Sequence, residues 1–99
     1  MKKDLLVHYV LNSEFEPVIP IGAYIYYSTN FEIEENIPYI VLIQKGRNQY
    51  KAIRYIKILK DLIIFFTPNV SKIEPEICNI DKLSDIIIIG RVVKMIKKI

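Results

Sequence analysis

The sequence predicts a mostly-β fold, a rolled sheet or partly open barrel of short strands. Three observations carry that expectation. Twenty-one of the 99 residues are isoleucine, beside seven tyrosines and four phenylalanines, and such side chains fit a pleated, half-buried surface. Short apolar stretches recur at regular spacing, separated by tight turn signals. The length suits one small domain with a single fold.

Taken in order, residues 3–11 read as a first strand. Pro17 and Pro20 bracket Val18-Ile19, and Gly22 follows, so residues 16–22 read as a rigid turn. Residues 23–28 are aromatic and β-branched and read as a second strand. Residues 32–36 form an acidic turn. Pro38 opens a strand at 39–44, where proline is tolerated because it stands at the start. Lys45-Gly46-Arg47-Asn48 reads as a hairpin turn of the longer type, and 49–59 as the returning strand. Lys60-Asp61 is a second tight turn. Residues 62–67 form an apolar strand closed by Pro68-Asn69. Residues 71–77 are irregular or a short edge strand, limited by Pro75. Residues 80–85 are a short turn or helical connection. Residues 86–96 form the last strand, with Gly90 marking a bend or bulge. Val92, Val93, Ile96 and Ile99 also fit helical spacing, but the four isoleucines before Gly90 favour strand.

Composition excludes several classes. The chain is 52% hydrophobic and 25% charged, which is globular rather than disordered. The single cysteine, Cys78, cannot form an internal disulfide, and with one histidine, His8, a metal enzyme is not expected. No metal site or cofactor is therefore assigned. No secretory leader is legible, and the run of isoleucines at 86–89 is far short of the ~18 residues a membrane span needs. A cytoplasmic, reducing location with no membrane partner is the expectation.

The net charge of +3 is unevenly spread. Residues 1–40 sum to −4 and residues 41–99 to +7. Arg91, Lys94, Lys97 and Lys98 make a basic tail, read as lysines that discourage edge-to-edge aggregation. Tyr24, Tyr26 and Tyr27 are candidates for stacking on bases, as in small barrels that bind single-stranded nucleic acid. They lie in the acidic part of the chain, without a basic footprint beside them in sequence, so packing is the preferred use. His8 is read as a structural residue, and Cys78 as a small apolar one.

Two segments carry a family resemblance. Val10-Leu11-Asn12-Ser13-Glu14-Phe15-Glu16-Pro17-Val18-Ile19-Pro20-Ile21-Gly22 is similar to the stretch around the nucleophile in the serine–lysine self-cleaving domains of the LexA, UmuD and phage-repressor family. There the pattern is G-D-S-M-x-P-x-I-x-x-G-D. Ile86-Ile87-Ile88-Ile89-Gly90-Arg91-Val92-Val93-Lys94-Met95-Ile96-Lys97-Lys98 resembles that family's final strands, I-x-G-R/K-V-V-x-x-x-R-K. Between them, Ala52-Ile53-Arg54-Tyr55-Ile56 stands where the family has V-K-R-L, and Thr67-Pro68-Asn69 stands near its P-x-N-P turn. The resemblance implies a LexA-like C-terminal β-roll over the whole chain, 1–99.

The departures define the expected function. The family's nucleophilic serine, three residues before the proline, falls on Glu14, and its general-base lysine falls on Arg54. A lysine can accept the serine proton once burial lowers its pKa. Arginine stays protonated and cannot. The family's upstream cleavage dipeptide also has no counterpart here. Glu14 and Arg54 are therefore expected to form an ion pair in place of a catalytic dyad, since a guanidinium fork suits a carboxylate. Ser13 and Lys51, one and three places away, are rescue candidates for an active peptidase, but a register slip flips side chains between faces.

The resemblance thus implies a non-catalytic dimerisation or protein-interaction module linked to transcription repression in bacteria or phage. Its partner would be a second copy or a repressor of the same type. Direct DNA binding is not expected, because no helix-turn-helix head fits in these residues; such a head is supplied elsewhere or the domain acts alone. Edge-strand addition would be the physical route. Ile87, Ile89, Arg91, Val93 and Met95, alternating along the last strand, are the expected interface. The alternatives are the Ser13–Lys51 peptidase and a small barrel binding single-stranded nucleic acid.

Overall fold

The computed structural model describes residues 5–69, 71–82 and 85–97. Lys3 and Asp4 of the expected first strand, Lys98 of the basic tail and Ile99 lie outside them. Among the described residues, seven strands form one antiparallel sheet: β1 (Leu5–Tyr9), β2 (Tyr24–Ser28), β3 (Tyr39–Lys45), β4 (Asn48–Leu59), β5 (Leu62–Phe66), β6 (Glu76–Asn79) and β7 (Ile86–Ile96). A single 3₁₀ turn, Ile80–Lys82, precedes β7. The strand order is β1-β2-β7-β3-β4-β5-β6. The sheet does not close, so the architecture is an open sheet rather than a barrel. Among the described residues, no helix is long and apolar enough to cross a membrane.

Two long strands make the sheet roll. In β4, residues 48–54 pair with β3, and residues 55–59 pair with β5. In β7, residues 86–91 lie against β3 and residues 91–96 against β2. Each long strand thus passes from one neighbour to another part-way along, which staggers the sheet.

The central strands are covered on both sides. Ile40 and Ile53 point into one core with Phe15, Ile19, Ile25 and Tyr27. Tyr39, Val41, Ile43, Ala52 and Ile56 point into a second, with Ile63, Phe65 and Ile86. This explains why β3 is apolar without interruption from Tyr39 to Ile43: both faces of the strand are buried. The buried Tyr39 also secures the acidic turn. Its hydroxyl donates to the Glu32 carbonyl at 2.8 Å and accepts from the Glu34 amide at 2.7 Å.

Turn chemistry departs from expectation at one hairpin. The β3–β4 loop is only Gly46-Arg47, with Lys45 opposite Asn48. Gly46 takes a positive φ of 60°, which tightens the loop to two residues. The segment before β6 is irregular, as expected, and β6 is a short edge strand that runs on to Asn79. Residues 71–73 turn, and the strand starts only at Glu76, beyond Pro75.

Gly90 marks a bulge, as its position suggests. Ile40 stands opposite Gly90 and Val41 opposite Ile88, so Ile89 has no opposite residue. A second bulge falls at Val93, between the pairs Tyr26–Lys94 and Tyr27–Val92. The missing side chain at Gly90 makes room for Tyr27, whose Cδ2 lies 2.1 Å from where a Cβ would stand. Gly90→Ala should therefore destabilise the fold by ~2–3 kcal/mol through overpacking. Denaturant unfolding checks this, and an unchanged midpoint would contradict the close approach.

Candidate functional site

The loop after β1 is anchored at several points. Phe15 and Ile19 are buried in the first core, and the Phe15 ring lies 4.8 Å from that of Tyr55. The Ile19 amide donates to the Phe15 carbonyl at 2.9 Å, and the Glu14 amide to Asn12 Oδ1 at 3.0 Å. Asn69, in the turn after β5, donates through Nδ2 to the carbonyls of Glu14 and Glu16. Thr67 Oγ1, fully buried, accepts the Asn69 amide. Two distant turns are thus tied together, and Glu14 is presented at a fixed place.

That place is beside Arg54. Arg54 Nη1 donates to Glu14 Oε1 at 3.0 Å, and the arginine side chain is 3% exposed against 29% for the glutamate. The same Nη1 donates to the Ile53 carbonyl at 2.9 Å. Arg54 Nε is buried and has no protein partner. A buried guanidinium keeps its charge, so its carboxylate partner is what makes the burial tolerable. Glu14 and Arg54, forty residues apart, therefore meet as the ion pair the sequence leads one to expect.

The pair sits at an unpaired sheet edge. Residues 48–54 of β4 have β3 on one side, and among the described residues no strand lies on the other. The two-residue hairpin sets the ladder so that Gln49, Lys51 and Ile53 turn their backbone groups toward this open edge. Arg54 covers the Ile53 carbonyl there. An apolar hollow of about 340 Å³ runs along the edge, lined by His8, Val10, Phe15, Lys51 and Ile53 among others.

Ser13 and Lys51 are not brought together. Lys51 points to the opposite face of β4 from Arg54, as residues three apart in a strand must. Its Nζ stands 6.0 Å from the centre of the Tyr27 ring. Ser13 lines a different hollow, with Glu16, Pro17 and Asn69. Among the described residues no hydrogen bond joins the two.

The five interface residues of β7 also divide. Ile87 and Val93 are 53% and 54% exposed, while Ile89 and Met95 pack against the first core. Arg91 is paired with Glu34 at 2.8 Å. The two bulges are the cause. The residues facing the first core switch from Gly90 and Val92 to Met95 across Val93, so strict alternation fails. β7 is not the terminal strand of the sheet but lies between β2 and β3, and, as in β4, each half of it is paired on one side.

Other candidates resolve by surroundings. Tyr27 is buried, whereas Tyr24 and Tyr26 face outward. Lys94 lies over the Tyr26 ring at 5.3 Å, a basic neighbour from β7 that the local sequence did not reveal. Burial, then Glu76 and Asp85, pushes the Cys78 thiol up, away from the thiolate a nucleophile requires. The one partner of His8 that matters electrostatically, Lys51, was also hidden in sequence; both line the apolar hollow. Among the described residues no cluster of three or more His, Cys, Asp or Glu could hold a metal ion.

Comparison with family models, with curated proteins and with solved structures returns no match.

Burial, and then the Lys51 charge, lowers the His8 pKa below its ordinary 6.5. The unfolded chain therefore takes up this proton first as pH falls. The His8 contribution to stability is intact above about pH 6.5 and declines as pH drops from there through the folded-state value. An NMR titration should place His8 below 6.5, and Lys51→Met should move it back up. A His8 that titrates at or above 6.5 would contradict this environment.

Proposed function

We propose that this chain is a non-catalytic domain of the LexA, UmuD and phage-repressor type, acting as a dimerisation and protein-interaction module in transcription control. The observation that carries the reading is the Glu14–Arg54 ion pair. It occupies the two positions at which the resemblance calls for a nucleophilic serine and its lysine base. An arginine held against a carboxylate has no lone pair to accept a proton, and a carboxylate is a poor replacement for the serine hydroxyl in attack on an amide.

Local geometry supports the same reading. The pair is part of the scaffold, since Glu14 is held through its own backbone by Asn69. The rescue pair, Ser13 and Lys51, lines separate hollows. What remains chemically available at the site is recognition: an open strand edge beside an apolar hollow can add an extended segment of another protein. A second copy and a repressor of the same type are the partners this reading favours.

Incubation at alkaline pH, which favours neutral lysine, tests the absence of catalysis. The intact mass should stay unchanged over days, and a serine-directed acylating probe should leave Ser13 unlabelled. Self-cleavage, or labelling of Ser13 that Lys51→Met abolishes, would contradict the proposal.

A further inference from the structure

Residues directly opposite one another in an antiparallel pair point to the same face. Leu5 stands opposite Ser28, Val7 opposite Tyr26 and Tyr9 opposite Tyr24. Tyr24 in turn stands opposite Ile96, and Tyr26 opposite Lys94. Ile25 and Tyr27, between them, point the other way into the first core. Leu5, Val7, Tyr9, Tyr24, Tyr26 and Ile96 therefore form one apolar layer across β1, β2 and the end of β7. Five of them, all but Tyr26, are 38% to 48% exposed. The Tyr9 and Tyr24 rings lean together at 5.0 Å.

Size and charge say what fits this face. Six large side chains, each showing part of its surface, present roughly 500 Å² of apolar area. That is toward the upper end of the ~300–600 Å² of the largest patch on an ordinary monomer. Two such faces packed together would remove about 1,000 Å², the minimum for a biological interface and the size of weak, reversible ones. The face offers little electrostatic address. No carboxylate stands at its paired positions, Arg91 is satisfied by Glu34, and Lys94 is drawn over Tyr26. Its two cations, Lys94 and Arg91, stand on the β7 side and are drawn onto Tyr26 and Glu34, and the apolar rows of β1 and β2 are what a second copy would match. Residues 5–9 of the edge strand β1 also lack the lysine or proline that blunts an edge left in water.

We propose that the outer face of β1, β2 and β7 is a self-association surface on which a second copy packs sheet against sheet. An aligned packing about 10 Å apart would interdigitate the two layers around a two-fold axis. This rests on the dimerisation reading above and moves the interface away from Ile87 and Ile89. It leaves the open edge of β4 free for a different partner.

Molar mass of the full chain, measured by light scattering over a range of concentrations, tests the surface. The wild type should be dimeric. Val7→Lys and Ile96→Lys, both on solvent-facing positions, should be monomeric with an unchanged circular dichroism spectrum. Ile87→Lys, outside the layer, should remain dimeric. A dimer that survives both Val7→Lys and Ile96→Lys overturns this surface while leaving dimerisation standing. A wild type that stays monomeric up to roughly 0.5 mM, far above the dissociation constant of a specific complex, overturns both. Salt-sensitive binding of a single-stranded oligonucleotide by such a monomer, lost in Tyr24→Ala, would assign the face to nucleic acid instead and overturn the proposal.

Discussion

A positive charge buried inside a β-sheet is the constraint around which this protein is arranged. Arg54 stands where β4 leaves β3 and takes up β5, at the point where the sheet rolls. A guanidinium there cannot shed its proton, and the desolvation it suffers is several kcal/mol unless opposed. The loop that carries Glu14 opposes it. That requirement explains why the loop is anchored so thoroughly, by Phe15 and Ile19 in the core and by Asn69 from the turn after β5. The carboxylate must be delivered to one place, and the backbone around it must not drift.

The same arrangement governs what the site can do. By covering the Ile53 carbonyl, Arg54 satisfies one group of an otherwise open strand edge. The remaining outward groups of β4 stay available beside an apolar hollow. On the reading proposed above, an arginine that cannot accept a proton stands in the base position, and recognition is the role left to the site. The outer side chains of β1, β2 and β7 point away from the first core, toward which His8 of β1, Tyr27 of β2 and the edge residues Lys51 and Ile53 converge.

Much of this was legible in the sequence, and the failures have physical causes. The last strand runs over the expected residues 86–96, because four consecutive isoleucines outweigh the helical spacing that follows. Gly90 correctly marked a bulge, since a glycine inside a strand signals close approach. The second bulge, at Val93, carries no such mark, and together with the first it scattered Ile87, Ile89, Arg91, Val93 and Met95 over different surroundings. Glu14 and Arg54 were found through their positions in an ordered set of motifs; neither stands out by composition. Lys94 beside Tyr26, and Lys51 beside His8, could not be read at all. Those neighbours are set by strand order, and β7 entering between β2 and β3 is a long-range choice that local pattern does not encode.

The central claim is that Glu14 and Arg54 act as a unit, and a double-mutant cycle in unfolding free energy tests it most directly. Glu14→Gln should cost about 2 kcal/mol, because it leaves a buried guanidinium without its counter-charge. Arg54→Met should cost less, since the partly exposed Glu14 can turn to water. The double variant should then be more stable than the sum of the two losses predicts, by ~1 kcal/mol or more. Losses that add to within ~0.3 kcal/mol would show two independent side chains, and would contradict the account.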